Sequence, residues 1–156
     1  MNRELLFLLL NGIVGFFSDV FLNFIANKDI YKPISSLKPY FQNKSVFKAG
    51  IYASLTVLII VAIIMKLFYY LYGKYLPETN SHMHNEIVVY LLITFAIGFI
   101  ADIIIYKINI FPKLKLYYQS VGMGLWGALA ILFSVIISLF GVYLYQNYKH
   151  KFINVL

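Results

Sequence analysis

Four long apolar runs, separated by short polar segments, are the dominant pattern along this chain. They cover about residues 5–26, 49–72, 87–106 and 121–145. Each is close to the roughly 20 residues that a helix needs to cross the hydrocarbon core of a bilayer. A segment in lipid must satisfy its own backbone hydrogen bonds, and these runs lack the strict alternation of barrel strands, so all four are predicted to be transmembrane helices.

Composition agrees with this interpretation. Of the 156 residues, 62% are hydrophobic and 12% are charged, whereas a soluble domain is usually about a quarter charged. The first run is longer than the apolar part of a signal peptide and no small-residue cleavage motif follows it, so we expect it to remain as a helix. The sequence therefore predicts an all-α, polytopic membrane protein, a single domain over residues 1–156.

Basic residues give the chain a formal charge of +7. They are dispersed in short loops, which is typical of membrane topology and argues against a nucleic-acid partner. Most of them follow the first and third apolar runs: Lys28, Lys32, Lys38, Lys44, Lys48, Lys107, Lys113 and Lys115. Because short basic loops tend to stay cytoplasmic, both termini are predicted to lie on the non-cytoplasmic side.

The two halves of the sequence resemble each other. Three matched pairs occur in the same order: GFFSDV (15–20) with GFIADI (98–103), LKPYFQ (37–42) with LKLYYQ (114–119), and GIYA (50–53) with GLWG (124–127). We interpret them as a tandem duplication of a two-helix unit, with repeats at about 5–73 and 87–146. Two helices return the chain to its starting side, so the repeats are expected to be parallel, about an axis along the membrane normal.

Asp19 and Asp102 occupy equivalent positions within the first and third runs. A carboxylate inside a transmembrane helix is costly unless it is paired or protonated, and it is a functional candidate by default. If the two face each other near the pseudo-twofold axis, they can form a cation site or hold a transferable proton. This interpretation predicts a small, oligomeric channel or carrier.

A structural role for the same carboxylates is the interpretation that we prefer, with the channel or carrier as the alternative. Lys38 and Lys115 are also repeat-equivalent and fall on the same side, so each could bridge to the aspartate of its own repeat and fix the loop to the bundle. Asn23 and Tyr106, one turn beyond the two aspartates, could add hydrogen bonds. The segments 36–42 and 112–119 are expected to lie along the membrane surface as short amphipathic stretches.

Small residues form a stripe on the last run, at spacings of mostly three and four. They are Gly124, Gly127, Ala130, Ser134, Ser138 and Gly141. Such stripes let helix backbones approach closely in lipid, and we expect the contact to lie within the chain, with a homo-oligomer as the alternative.

Few residues are suited to cofactors or catalysis. His82, His84 and Glu86 have ligand types for Zn or Cu, but three ligands in one short loop are weak evidence for a metal site. With no cysteine in the sequence, disulfides and thiolate ligands are excluded. The sequence contains no GxSxG, HExxH, phosphate-binding glycine loop or TVGYG filter. We therefore expect neither an enzyme nor a cofactor.

Three features together point to a family: the repeated Gly-x-x-x-Asp helix, the LK-x-Y-aromatic loop, and GLWGALA at 124–130. Over nearly its whole length the chain resembles uncharacterised small four-helix membrane proteins of nucleocytoplasmic large DNA viruses. The resemblance implies a place in a virion's internal membrane, as an anchor or minor capsid component that contacts lipid and capsid proteins. It transfers no catalytic residue, because the shared motifs have no established activity.

Overall fold

A computed structural model describes residues 2–42, 45–77, 84–108 and 124–153, and all regular elements in these ranges are helices. The helices are α1 (Arg3–Lys28), α2 (Lys32–Ser35), α3 (Lys38–Gln42), α4 (Val46–Tyr72), α5 (His84–Ile108) and α6 (Leu125–Ile153). Helices α1, α4, α5 and α6 each contain a stretch long and apolar enough to cross a bilayer. The predicted all-α fold with four transmembrane helices is confirmed.

Local sequence signals determine where the long helices begin and end. The side chain of Asn2 accepts the N–H of Glu4 at the start of α1, and Ser45 accepts an N–H in the first turn of α4. Asp29 and Gly73 follow α1 and α4 in the left-handed conformation, with φ of 53° and 70°. Capping of this kind satisfies backbone groups that the helix ends leave open, and it turns the chain back toward the bundle.

The four long helices form a ring in which each packs against two neighbours: α1 and α5 each contact both α4 and α6. The interior between them is a continuous apolar core that includes Phe7, Val61, Ile64, Phe68 and Val135, all almost completely buried. Many large apolar side chains point outward instead, among them Phe17, Phe21, Ile59, Leu92 and Phe133. Lipid covers such a surface, whereas a water-soluble monomer rarely exposes one this large.

Glycines set the close approach of α1 and α4. A Cβ added at Gly15 would lie 3.2 Å from Val57 Cγ2 and 3.4 Å from the Cα of Ser54. A Cβ added at Gly50 would meet the ring of Phe16 at 2.5 Å. In the first hairpin, the Phe16 ring therefore packs on Gly50, and Gly15 lets the backbone of α4 approach α1 closely.

Helices α5 and α6 approach each other through the same kinds of contact. A Cβ added at Gly98 would lie 3.0 Å from the Cα of Ala128 and 3.4 Å from Ile131 Cβ. One added at Gly124 would meet the ring of Phe99 at 2.8 Å. Each of these contacts has a counterpart in the first hairpin. The residues of α5 differ from their α1 counterparts by one constant difference in residue number, and Gly124 and the α6 residues differ from their α4 counterparts by another. The contacts thus follow the register of the sequence alignment, while the duplication itself stays a prediction.

The segment between α1 and α4 folds back against the bundle. A second apolar cluster joins Ile34, Leu37 and Phe41 of this segment to Ala26 of α1 and Ala49 of α4. This anchoring holds α2 and α3 across one end of the bundle. We call this end, with residues 28–42 and 45–48, the lysine-rich end, and the opposite end, where α1 begins, the terminal end.

Candidate functional site

Asp19 and Asp102 line one shared cavity of about 210 Å³ near the lysine-rich end. All four long helices contribute to its wall, and α3 adds Tyr40 to it. The wall also includes three further side chains with polar atoms, Tyr52, Thr56 and Trp126, and it includes Ala130 of the small-residue stripe. The two carboxylates at matched positions of the sequence therefore line one open pocket among the four long helices, and the rest of its wall is mostly apolar.

Asp102 is tightly enclosed and only 8% exposed. Its Oδ2 accepts a hydrogen bond from the N–H of Gly124, at 3.2 Å, immediately before α6. A Cβ added at Gly127 would lie 2.5 Å from Asp102 Cβ and Cγ. The carboxylate thus rests on the first turn of α6, where open N–H groups and the helix dipole favour negative charge.

Asp19 lies beside Tyr40, which comes from α3. Burial raises the pKa of Tyr40 to about 12, and the charge of Asp19 and the nearby Tyr52 add to the shift. The Tyr40 hydroxyl therefore keeps its proton at neutral pH. It gives this side of the cavity a neutral group that can donate a hydrogen bond to an anionic oxygen.

The predicted bridge from Lys38 to Asp19 is wrong. Lys38 Nζ pairs with Asp29 Oδ2 at 3.0 Å, and both side chains are substantially exposed. Lys38 begins α3 and Asp29 caps α1, so both lie outside the four membrane-spanning stretches and their pairing avoids burying an ammonium group. This pairing lowers the pKa of Asp29 from its usual value. Lys115, predicted as the partner of Asp102, lies outside the described residues.

Asn23 and Tyr106, the predicted supports of the aspartates, lie in different surroundings. Asn23 is nearly buried, and its Oδ1 accepts a hydrogen bond from the side chain of Asn27 on the same helix. Tyr106 is half-buried at the edge of the second apolar cluster. The amide of Asn23 therefore stabilises its own helix and not the cavity.

Most of the small-residue stripe of α6 packs inside the chain, whereas its member Ala130 is exposed. Ser134 Oγ donates a hydrogen bond to Asn11 Oδ1 of α1 at 2.9 Å. A Cβ added at Gly141 would lie 2.6 Å from Leu10 Cδ1. Ser138 is fully buried. Gly124 and Gly127 pack against α5, whereas Ser134 and Gly141 contact α1. The stripe therefore contacts both neighbours of α6.

Of the weak metal candidates, Glu86 lies at the terminal end. Glu86 Oε2 forms an ion pair with Lys74 Nζ at 2.7 Å, which ties the start of α5 to the chain that follows α4. His82 and the side chain of His84 lie outside the described part. Among the residues that are described, no group of three His, Cys, Asp or Glu side chains could hold a metal ion.

Sequence reasoning missed a polar stripe on the inner face of α5. It recurs at every fourth position and comprises Glu86, Tyr90, Thr94, Gly98 and Asp102. Tyr90 and Thr94 are fully buried, and the Thr94 hydroxyl donates to the carbonyl of Tyr90. A spacing of four places side chains on one helix face, so this pattern was readable from the sequence.

Comparison with protein-family models, curated proteins and solved structures finds no match for this chain. The fold and the cavity therefore define its class. It is a multi-pass helical membrane protein with two acidic side chains lining one open pocket among its long helices.

Proposed function

We propose that this protein binds a proton or a monovalent cation between Asp19 and Asp102, and that it acts as a small channel or carrier. The observation that carries the proposal is the shared cavity, because it places two carboxylates from different hairpins around one volume. Two like charges in a confined, poorly hydrated space repel each other. A bound cation, or a shared proton, relieves that repulsion.

The rest of the cavity wall suits a cation. The hydroxyls of Tyr40 and Thr56 offer neutral oxygen atoms beside the carboxylates. Aromatic side chains attract cations through their ring faces, and Tyr40, Tyr52 and Trp126 all contribute to the wall. In this site the carboxylates neutralise the charge of the cation, and the hydroxyl oxygens coordinate it without losing a proton.

Ion flux through liposomes tests the proposal. Purified protein is reconstituted, and proton and potassium flux are followed under an imposed gradient. Wild type is expected to conduct, whereas Asp19→Asn and Asp102→Asn each lose most of the flux because they remove one of the two charges. Asp29→Asn is the matched control, since this carboxylate is exposed at the surface. Absence of flux in wild type, or full flux in both single variants, contradicts the proposal.

We also propose that the two hairpins arose by tandem duplication. The supporting observation is that the glycine contacts of the second hairpin occur at the alignment-equivalent positions of the first. In an experimental structure, the α1–α4 pair should superpose on the α5–α6 pair by a rotation of about 180° around the bundle axis. Hairpins that fail to superpose in this register contradict the idea.

We also propose an orientation in which the lysine-rich end is cytoplasmic, because short basic loops tend to stay on that side. The chain lacks cysteine, so single cysteines report sidedness without background. Asn2→Cys should react with an impermeant maleimide from outside intact cells, and Lys48→Cys should react only after permeabilisation. The reverse pattern contradicts cytoplasmic placement of the lysine-rich end.

A second candidate function is that of an anchor or minor capsid component in a virion's internal membrane. The observation that favours it is the surface of the lysine-rich end, where Lys28, Lys32 and Lys48 are exposed beside the anchored α2–α3 segment. Such a surface can contact anionic headgroups or an acidic protein layer. Detergent extraction of virions that carry the protein tests this role. Retention with the capsid is expected, and its complete release from intact capsids contradicts the role.

A further inference from the structure

We infer that the bundle contains a second polar site, formed around Tyr90 and Ser138 in its terminal half, and that this site binds water. Both residues have no exposed surface. Within the described part of the chain, neither Tyr90 Oη nor Ser138 Oγ has a hydrogen-bond partner. They differ in this from Thr94 and Ser134, whose hydroxyls are satisfied by the protein.

The surroundings prevent the Tyr90 hydroxyl from reaching the outer surface of the bundle. Its ring is held edge-to-face between Phe7 and Phe68, at centroid distances of 6.2 and 5.0 Å. Hydrocarbon offers no hydrogen bonds, so a hydroxyl fixed in this position needs a partner inside the protein. Buried polar groups are almost always paired, and ordered water supplies the partner where the protein does not.

Further polar groups lie one helical turn away and can complete the coordination of a water molecule. Ser138 follows Ser134 by four residues on α6, and Thr94 follows Tyr90 by four on α5, so each pair shares a helix face. The Asn11 side chain donates to the carbonyl of Phe7 and accepts from Ser134. Because a buried water makes about three hydrogen bonds, this group of hydroxyl, amide and carbonyl atoms is sufficient for one.

The site extends the polar interior of the bundle beyond the aspartate cavity. Going from the terminal end, Glu86 is followed at successive turns of α5 by Tyr90, Thr94, Gly98 and then Asp102. If the proposed cation function holds, water at Tyr90 lies about three helical turns from Asp102 toward the terminal end, with Thr94 between them. Only this consequence rests on the proposed function; the water site itself rests on the two buried hydroxyls.

Removing the two hydroxyls tests the inference, because Tm is expected to fall if the site holds water and to rise if the site is dry. Tyr90→Phe and Ser138→Ala are made in the full chain, and Tm is measured in nanodiscs. If water bridges the hydroxyls, each deletion removes a partner from it and lowers Tm by about 2–4 °C. If the hydroxyls are dry, each deletion removes an unsatisfied group and raises Tm.

Tyr70→Phe is the matched control for the aromatic substitution, since Tyr70 is 84% exposed on the outside of the bundle, and its Tm should equal that of wild type. A lower Tm for both interior variants supports the water site, and an unchanged or raised Tm for either overturns it. An experimental density map adds a second readout, with a water expected within hydrogen-bond distance of Tyr90 Oη. Neither readout depends on ion flux, so a failure of the cation proposal would leave this result intact.

Discussion

Replacing Gly127 by alanine tests how closely α6 is seated against the aspartate cavity. The new Cβ would lie 2.5 Å from Asp102 Cβ and Cγ and 2.7 Å from its Oδ1. Carbon atoms prefer separations of about 3.5–4.0 Å, so the helix or the carboxylate must move by roughly 1 Å. Overpacking of this kind costs about 1–3 kcal/mol.

Movement of Asp102 also weakens its hydrogen bond from the N–H of Gly124. A hydrogen bond to a charged group contributes about 1.5–3 kcal/mol. Alanine recovers up to about 1 kcal/mol because it is a better helix former than glycine. The expected net loss in the free energy of unfolding for Gly127→Ala is therefore about 2–4 kcal/mol.

Unfolding in mixed micelles, followed by the helical circular dichroism signal, measures this loss. Gly12→Ala is the matched control, because a Cβ at Gly12 would meet nothing closer than Ser54 Oγ at 3.2 Å and Leu58 Cδ1 at 3.5 Å. That variant should stay within about 1 kcal/mol of wild type. The reasoning is refuted if Gly127→Ala is as stable as wild type, or no less stable than Gly12→Ala.

Three further predictions concern other contacts. Ser134→Ala leaves the buried Oδ1 of Asn11 without its donor and should lower the free energy of unfolding by about 1–2 kcal/mol, measured in the same assay. Because burial raises the pKa of Tyr40 from 10 to about 12, the folded protein holds more protons in this window, so Tm should fall from pH 10 to pH 12, and less so in Tyr40→Phe. Lys38→Met should change Tm only slightly at neutral pH, because the Lys38–Asp29 pair is exposed, while carboxyl titration by NMR should show the pKa of Asp29 rising toward its usual value.

The helical fold could be predicted from the sequence because lipid leaves so few alternatives. An apolar run of this length has no water to satisfy its backbone, so helix is the only local solution. Inner and outer faces were harder to assign, because lipid-facing and interior residues are equally apolar in this chain. Phe17 faces outward and Phe16 packs on Gly50, although both are phenylalanines in the same helix.

The shared cavity was partly predictable, and the ion pairs were not. The proposed repeat predicts Asp19 and Asp102 at equivalent depths, because parallel repeats would bring equivalent residues toward one axis. The partner of Lys38 depended on where α2 and α3 turn, and that turn brings Asp29 within 3.0 Å. Likewise, no periodicity shows that a glycine such as Gly127 lies beneath a carboxylate.

The most direct test of the central claim uses Trp126, the only tryptophan in the chain, which lines the cavity with both carboxylates. Its fluorescence is followed in nanodiscs during titration with potassium, with tetramethylammonium and with acid. A saturable change with at least one of these, abolished by Asp19→Asn and by Asp102→Asn and retained in Asp29→Asn, is the predicted result. No change in wild type, or an unaltered response in both cavity variants, contradicts the claim that the two aspartates form one cation site.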